Sequence, residues 1–406
     1  MKFKRCFFFM DSLKSSFTIS EINKLSELFE EVFVFYFIND VDIIFPENVK
    51  AKKIDDNLTL SKHKLFINNF FLICKVFLKD TFSKYTSISY FFNFRIRLSY
   101  LIKYLSNYKL ISKHFNFNEN DYLYSFFTYE FALIPSFIKK NNSKVNFITL
   151  THGRDLYEGI EPKTNKLSFR NFIFSNADKI LSVSKHGTDY LKNRYPEFFY
   201  KFKTYHLGVK NITNKLEKFQ ISNEIVIVSC SHIRKVKSVH KIPNLLISLN
   251  KITDIKINWI HFGALPKNNY NLFYEELEKI ENYQNISYKL KGETSQKIIF
   301  DFYENQNIDF FLSVSESEGL PISMMEVASF GIPIISTDVG GCFEIVNDEK
   351  LLLKKYFCEN DFISCYEYLR NNRDEISESV LNKWKSKFSY DKSLLRLNTI
   401  LLEINQ

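Results

Sequence analysis

The segment Phe311–Val346 reads F-L-S-V-S-E-S-E-G-L-P-I-S-M-M-E-V-A-S-F-G-I-P-I-I-S-T-D-V-G-G-C-F-E-I-V. The short, mostly apolar run Asp309–Val314 predicts a buried strand. Pro321 suits the first turn of a helix, and Gly331 suits the end of that helix. Ile332–Ser336 predicts a second buried strand. Strand, helix and strand in this order are typical of an α/β domain with a parallel sheet.

Two carboxylates flank the predicted helix start. Glu318 precedes the helix and Glu326 lies in its second turn, so both can face the edge of the sheet where ligands bind. The free N–H groups near Gly319 and Leu320 suit a phosphate, and a carboxylate can accept two hydrogen bonds from a vicinal diol. Phosphate donors beside a diol acceptor favour a nucleotide sugar as ligand. The simpler alternative is that both are ordinary helix-start acids, which the helix dipole favours.

The run Ser315–Gly341 resembles the signature of retaining glycosyltransferase family 4, whose members have the GT-B fold. That signature has the form S-x-x-E-G-x-P-x-x-x-x-E-A-x-x-x-G-x-P-V-I-x-x-x-x-G-G, and Val327 stands here where alanine is usual. The resemblance implies that Glu326 binds the ribose of the donor and that Glu318 binds a hydroxyl of the donor sugar. It also implies that the N–H groups at the helix start help to hold the donor.

The composition is that of a soluble globular protein. The chain has 406 residues, 45% hydrophobic and 25% charged, and its length favours two or three domains. Six scattered cysteines show neither a C-x-x-C pair nor a zinc spacing, so we expect a reducing, cytoplasmic location. The apolar run at the N-terminus is too short for a signal peptide, and no run approaches the roughly 18 apolar residues of a membrane-spanning helix. We interpret Asp40-Val41-Asp42 as a turn, and we expect no metal.

Positive charge is concentrated in residues 61–118. The chain has a net charge of +9, and this segment carries ten basic residues against the single acid Asp80, which leaves the rest of the chain balanced. One interpretation is a core-facing helix with a solvated basic flank. The sharper alternative is contact with an anionic membrane surface, which would make the protein peripheral on the inner membrane face. No nucleic-acid recognition motif is present, so we do not expect a nucleic-acid partner.

The N-terminal half begins with a βαβ pattern. Residues 3–10 and 31–37 predict strands, and Thr18 with Glu21 resembles a capping box that opens the helix between them. Further along, the run Thr151–Gly159, T-H-G-R-D-L-Y-E-G, follows a predicted strand. It resembles an element in the N-terminal domain of polysaccharide-assembling members of family 4. The resemblance implies that His152 contacts the sugar or diphosphate of the donor, although a lone histidine is more often structural.

The C-terminal half alternates strand and helix from residue 224 onwards, which predicts a second doubly wound sheet. The loop Cys230–Ser238, C-S-H-I-R-K-V-K-S, resembles the family's G-R-x-x-x-x-K-G, in which Arg and Lys hold the donor diphosphate. Lys237 matches the lysine, whereas Ser231 and His232 occupy the places of the glycine and the arginine. Arg234 or Lys235 could supply the other cation, and a solvated basic loop is the alternative. Gly263 and Gly292 match glycine positions of the family's second domain.

We therefore predict two Rossmann-like domains of the GT-B type that face a cleft. Residues 1–210 would bind the acceptor, residues 211–385 the nucleotide-diphosphate sugar, and residues 386–406 would form a helix that returns to the first domain. The predicted activity is hexosyl transfer, with retention at the anomeric carbon, to a glycan or lipid-linked glycan of the surface polysaccharide, capsule or lipopolysaccharide type. The predicted catalytic residues are His152, Lys237 and Glu318. No metal and no cofactor are expected.

Two other functions remain open at this point. The chain could be another GT-B enzyme, such as a nucleotide-sugar epimerase or a phosphorylase. It could also be a non-catalytic protein that binds a membrane or nucleic acid through its basic segment.

Overall fold

The chain folds into two compact units. The computed structural model describes residues 2–13, 16–38, 43–54, 62–81, 94–158, 169–211, 222–266, 270–346 and 348–405. The first unit comprises Met1–Tyr205 and Leu395–Gln406, and the second comprises His206–Leu394. Asp40-Val41-Asp42, which we interpreted as a turn, lies outside the described residues.

The first unit contains a seven-stranded sheet in which all neighbouring strands are parallel. Its strands are β1 (Phe3–Phe9), β2 (Phe29–Tyr36), β3 (Val49–Lys53), β4 (Tyr122–Ser125), β5 (Asn146–Thr151), β6 (Lys179–Ser182) and β7 (Phe202–Thr204). They lie in the order β3-β2-β1-β4-β5-β6-β7. The helices are α1 (Ser16–Leu28), α2 (Lys62–Asn68), α3 (Phe70–Thr81), α4 (Phe94–His114), α5 (Leu133–Asn141), α6 (Gly153–Leu156), α7 (Arg170–Asn176) and α8 (Lys185–Arg194).

Phenylalanine fills much of the core of the first unit. Phe7 stacks on Phe33 with ring centroids 5.0 Å apart, and Phe9 stacks on Phe35 at 5.2 Å. These are partners in the parallel register of β1 and β2, so each pair lies on one face of the sheet. The aromatic richness of the sequence therefore serves packing here.

A buried polar cluster joins α1 to strands at the middle and the edge of the same sheet. Lys24 Nζ donates to Glu21 Oε2 at 2.7 Å and to Tyr205 Oη at 3.0 Å. Tyr124 Oη donates to the other carboxylate oxygen of Glu21 at 2.9 Å. A buried charge needs such partners, because an isolated one is strongly destabilising.

The second unit contains a six-stranded sheet that is also parallel throughout. Its strands are β8 (Glu224–Cys230), β9 (Lys256–Phe262), β10 (Ile286–Leu290), β11 (Phe310–Ser313), β12 (Ile334–Thr337) and β13 (Leu352–Leu353). They lie in the order β10-β9-β8-β11-β12-β13. The helices are α9 (Ile242–Asn250), α10 (Asn271–Glu278), α11 (Gln296–Asn305), α12 (Ile322–Ala328), α13 (Cys342–Val346), α14 (Glu359–Asn371), α15 (Arg373–Lys383) and the start of α16 (Tyr390–Ile404), which continues into the first unit from Leu395. The prediction of two parallel α/β sheets is confirmed.

The strand order places a switch point at β8. Strands β9 and β10 continue on one side of β8, and β11, β12 and β13 continue on the other. The loops that leave β8 and β11 therefore diverge at the carboxyl edge of the sheet and leave room between them. Open α/β sheets bind ligands at such points.

The last part of α16 belongs to the first unit. Tyr122 Oη on β4 donates to the Leu401 carbonyl oxygen at 2.8 Å, and Asn146 Nδ2 donates to Asn405 Oδ1 at 3.1 Å. These bonds attach the end of the chain to β4 and β5. Across the described ranges, no helix has the length and apolar character needed to cross a membrane.

Candidate functional site

Two loops of the second unit meet at the carboxyl ends of β8 and β11. The loop after β8 contains the single 3-10 turns Lys235–Lys237 and Val239–Lys241. The Glu316 N–H, on the loop after β11, donates to the Val236 carbonyl oxygen at 2.8 Å, and the Ser238 hydroxyl donates to Glu316 Oε1 at 3.0 Å. These two bonds hold the loops together and bring their charged side chains to one place.

Lys237 and Glu318, which we predicted as donor-binding residues, form an ion pair across these loops. Lys237 Nζ lies 2.6 Å from Glu318 Oε1, and both side chains are half-buried. The sequence suggested separate roles for the two groups, one on a phosphate and one on a sugar hydroxyl. The structure shows that the two groups are paired with each other.

Glu326 lies in α12 with its residue only 7% exposed. Gln296, the first residue of α11, donates a hydrogen bond from Nε2 to Glu326 Oε1. Burial raises the pKa of Glu326 to about 7, and the bond from Gln296 acts in the opposite direction. The carboxyl group can therefore change its protonation state near neutral pH.

The surroundings of Glu326 are otherwise poor in hydrogen-bond partners. Burial, and then the neighbouring Glu326 charge, raise the pKa of the Cys230 thiol to about 12. The Tyr303 hydroxyl is buried and has no hydrogen-bond partner within the described part of the chain. Burial and the charges of Cys230 and Glu326 raise its pKa well above the usual value. Sequence reasoning did not find Gln296 or Tyr303, because Gln296 matters through its bond to Glu326 and Tyr303 through its burial near the charge of that carboxylate.

The backbone around Glu318 is packed against a glycine pair. The Gly341 N–H donates to the Gly319 carbonyl oxygen at 2.9 Å. Gly340 has φ of 57°, and a Cβ at that position would lie 1.8 Å from the Glu318 carbonyl oxygen. The N–H groups of Gly319 and Leu320, which we predicted to hold the donor, donate no hydrogen bond to any described residue.

Buried polar groups on β8 and β9 support the loop after β8. His261 Nε2 lies 3.0 Å from the Ser231 carbonyl oxygen, and its Nδ1 lies 2.7 Å from Ser229 Oγ. Ser229 Oγ in turn accepts a hydrogen bond from Trp259 Nε1 at 2.8 Å. Burial lowers the pKa of His261 to about 4. Gly263 has φ of 135°, and a Cβ there would lie 1.9 Å from the Ser231 carbonyl oxygen. Gly263 thus acts through the close approach of two backbones.

The remaining cations of this loop point away from the core. His232, Arg234 and Lys235 are all exposed, whereas Lys237 is half-buried. Arg234 and Lys235 remain the candidates for a second phosphate-binding cation, as the sequence suggested.

His152 lies in the first unit, directly after β5 and before α6. Its ring is surrounded by Phe17, Phe126 and Phe127, with centroid distances of 5.9, 4.8 and 4.4 Å. Both ring nitrogens are buried and have no hydrogen-bond partner among the described residues. Burial lowers the pKa of His152 to about 3, so the ring is neutral at physiological pH.

The backbone of this element is fixed by its aspartate. The His152 N–H donates to Asp155 Oδ1 at 2.6 Å, and the Thr128 N–H donates to Asp155 Oδ2 at 2.7 Å. Arg170 donates to the carbonyl oxygens of Asp155 and Leu156. Asp155 therefore orients the loop, and the two ring nitrogens of His152 are left without hydrogen-bond partners among the described residues.

Comparison with known proteins connects this site with a family. Residues 211–364 match the family model described as Glycosyl transferases group 1. The O-antigen biosynthesis glycosyltransferase WbnH of Escherichia coli is 43% identical over 54 residues, which cover 13% of this chain and only 16% of WbnH. An uncharacterized glycosyltransferase of Methanocaldococcus jannaschii, MJ1178, is 26% identical over 313 residues, which cover 75% of this chain and 82% of MJ1178.

Solved structures match nearly the whole chain. A glycosyltransferase from Rickettsia africae superposes with a TM-score of 0.66 at 16% identity, covering 100% of this chain and 99% of that one. HepE from Anabaena, in complex with UDP and glucose, superposes with a TM-score of 0.65 at 12% identity, covering 98% and 99%. At these identities the likeness establishes the fold alone. The chain has the GT-B glycosyltransferase fold, as predicted.

The crowding at Gly340 leads to a stability prediction. The substitution Gly340→Ala should lower the free energy of unfolding by about 1–3 kcal/mol, because the new Cβ meets a backbone oxygen and the residue keeps a strained φ. Gly292→Ala is the matched control, since Gly292 has φ of 68° but nothing within 4 Å of its Cβ position. Urea denaturation measures both. Equal losses in the two variants would show that the contact with Glu318 is not what requires glycine.

Proposed function

We propose that this chain is a glycosyltransferase that moves a hexosyl group from a nucleotide-diphosphate sugar to a glycan or lipid-linked glycan. The observation that carries the proposal is the placement of Lys237, Glu318 and Glu326 around the switch point at β8. These residues lie within the part of the chain that matches Glycosyl transferases group 1. A cation, a carboxylate beside it and a second, buried carboxylate together suit a diphosphate, a sugar and a ribose.

In this proposal Glu326 accepts hydrogen bonds from the ribose diol. The carboxylate is held by Gln296 and is shielded from water, which strengthens a bond to a charged acceptor. The buried Tyr303 hydroxyl, which bonds to none of the described residues, adds a polar group in the same surroundings. The donor-binding surface further includes Ser231, His232, Gly263, Gly319 and Leu320.

Lys237 stabilises the diphosphate as it leaves, together with the N–H groups of Gly319 and Leu320. In the free protein Lys237 is already fixed by Glu318 at 2.6 Å, so its charge is oriented before the donor arrives. Arrival of the diphosphate gives Lys237 a new partner and releases Glu318 to accept a hydrogen bond from a sugar hydroxyl. The ion pair therefore prepares both groups for one ligand.

The solved relatives support the choice of donor. HepE is described with UDP and glucose, and the pneumococcal O-GlcNAc transferase GtfA is described with UDP and GlcNAc. WbnH is described as acting in O-antigen biosynthesis, which supports a surface polysaccharide as the acceptor class for this chain. His152, whose two ring nitrogens have no hydrogen-bond partner in the described ranges, is proposed to contact the sugar or diphosphate as a neutral imidazole. The proposal includes no metal ion and no cofactor.

Glu326 provides the direct test of nucleotide binding. Glu326→Ala should weaken binding of the matching nucleoside diphosphate by about 1.5–3 kcal/mol, the usual contribution of hydrogen bonds to a charged group. A thermal-shift screen of nucleoside diphosphates and nucleotide sugars identifies the ligand, because saturation at about 100 times Kd adds about 2.7 kcal/mol of stability. Affinity unchanged by the substitution would contradict the ribose role.

The same carboxylate predicts a pH dependence. With a pKa of about 7 in the free protein, Glu326 is mostly protonated at pH 6 and mostly ionised at pH 8. Ligand affinity should therefore rise by about tenfold between these pH values, because the ionised form is the better acceptor. Glu326→Gln should remove this rise and leave only the titration of the ligand itself. Isothermal titration calorimetry at both pH values measures this change in ligand affinity.

The ion pair predicts different effects for its two partners. Lys237→Ala should reduce turnover and weaken both the nucleoside diphosphate and the sugar donor, since its charge acts on the diphosphate. Glu318→Ala should reduce donor binding and turnover, while the bare nucleoside diphosphate binds as well as before because Lys237 is released. Lys251→Ala, on an exposed lysine directly after α9 and outside the loop after β8, is the control. Normal turnover in Lys237→Ala would show that the loop after β8 is a solvated basic loop with no role in the reaction.

Retention at the anomeric carbon is the proposed stereochemical outcome. The acceptor oxygen would attack on the face from which the diphosphate leaves, so that the new C1–O bond forms as the C1–O bond to phosphate breaks. The acceptor proton then passes to the departing diphosphate oxygen. The coupling constant of the anomeric proton, measured by NMR, should therefore indicate the same anomeric configuration in the donor and in the product. An inverted anomer, or free epimerised sugar formed without acceptor, would exclude this reaction.

A further inference from the structure

An exposed apolar stripe runs along α2 and α3 in the first unit. The side chains of Ile67, Phe71 and Leu78 are 71%, 87% and 52% exposed. Their spacing of four and seven residues places them on one side of a helix. Asn69 links the two helices, because its N–H donates to the Leu65 carbonyl oxygen at 3.1 Å and its carbonyl accepts from Ile73 N–H at 2.9 Å.

The opposite side of these helices is the one that packs on the unit. Leu65, Ile73, Val76 and Phe77 are all buried. The helices are thus apolar on two sides, and within the described part of the chain one of those sides packs on the unit while the other is exposed. An 87% exposed phenylalanine is unfavourable in water and indicates a surface that something else covers.

Lysines occupy the same exposed side. Lys64 and Lys75 are exposed and continue the helical spacing, so the side consists of Lys64, Ile67, Phe71, Lys75 and Leu78, here named the 64–78 face. Phe70 lies beside it, 45% exposed, with its ring 5.8 Å from that of Phe71.

The 64–78 face carries no negative charge to balance its lysines. Asp80 is the one acidic residue in α2 and α3, and it is buried and paired with Arg97 at 2.6 Å. The buried Arg97 is therefore not available to a partner, although it belongs to the basic segment 61–118. Lys103 lies against Phe37 and Tyr104, at 5.2 and 5.6 Å from their ring centroids. Within α2 and α3, the described exposed lysines lie together with the exposed apolar side chains on the 64–78 face.

We propose that the 64–78 face docks onto an anionic lipid surface. A helix with large apolar side chains and lysines on one exposed side lies in a membrane interface with the rings at headgroup depth. The lysines are complementary to anionic headgroups, and each basic residue near such a surface strengthens binding about fivefold. A soluble acidic protein could satisfy the lysines but has no need of four exposed apolar side chains between them. This inference does not depend on the proposed donor site, which lies in the other unit.

Sedimentation with vesicles tests the proposal. The wild-type chain should bind vesicles of phosphatidylglycerol and phosphatidylcholine at low salt, and should bind pure phosphatidylcholine vesicles much more weakly. Binding should fall as salt rises, because attraction to a charged surface is screened over about 8–10 Å at physiological ionic strength. The triple variant I67S, F71S and L78S should bind at least about tenfold more weakly. The variant K64E and K75E should bind weakly at every salt concentration.

A matched control comes from elsewhere in the first unit. Phe199 and Tyr200 are also exposed, at 55% and 69%, but they lie in the 3-10 segment Pro196–Lys201 and not on the 64–78 face. The variant F199S and Y200S should bind vesicles like the wild type. Circular dichroism and the unfolding midpoint confirm that each variant is folded. The nucleoside diphosphate thermal shift should be unchanged in all of them, which separates this test from that of the donor site.

Three results would overturn the proposal. The first is a wild-type chain that stays in the supernatant with anionic vesicles at low salt. The second is a triple variant that binds as tightly as the wild type. The third is light scattering that shows a dimer lost in the triple variant while neither protein binds vesicles, since the 64–78 face would then be covered by a second copy of the chain.

Discussion

The hydrogen bond from the Glu316 N–H to the Val236 carbonyl oxygen joins the two loops on which the candidate site depends. Strand order brings these loops to the same edge of the sheet, because β8 has β9 on one side and β11 on the other. If the two loops were only neighbours at the edge of the sheet, nothing would fix the distance between the charges of Lys237 and Glu318. A surface ion pair by itself contributes only about 0–1 kcal/mol to the stability of a fold. A backbone bond at the base of both loops fixes their separation. The 2.6 Å ion pair is therefore a consequence of the loop geometry and not its cause.

Much of the second unit could be predicted from its sequence, because its central strands are continuous apolar runs separated by helical periods. The same approach missed β13, which has two residues, and β3, V-K-A-K-K, in which four of the five residues are exposed. Lysine on an edge strand hides the alternation that marks a strand. Both carboxylates of the site were visible in a motif. Gln296 was not, because its only distinguishing property is a contact with a residue thirty positions away. The pairing of Lys237 with Glu318 likewise arises only in the tertiary structure and is not visible in the sequence.

The phenylalanines show why composition alone could not decide between core and surface. In β1 and β2, Phe9 stacks in register on Phe35 and both side chains are buried. In α3 the same residue type points both ways, since Phe77 is buried and Phe71 is almost completely exposed. A helical period applied to the sequence finds two apolar sides and cannot say which one faces the protein. Only the packing of the helices against their unit separates a core position from a surface that needs a partner.

Glycine is scarce in this chain, with ten among 406 residues, and four of the ten lie at the candidate site: Gly263, Gly319, Gly340 and Gly341. At Gly263 and Gly340 a neighbouring carbonyl oxygen already occupies the volume that a side chain would fill. Part of the shape of the site thus depends on the absence of a side chain at these two positions and not on a functional group. A search that compares sites by the chemistry of their side chains would pass over both positions. A comparison of backbone paths would find them, because they mark where two loops approach more closely than any other residue allows.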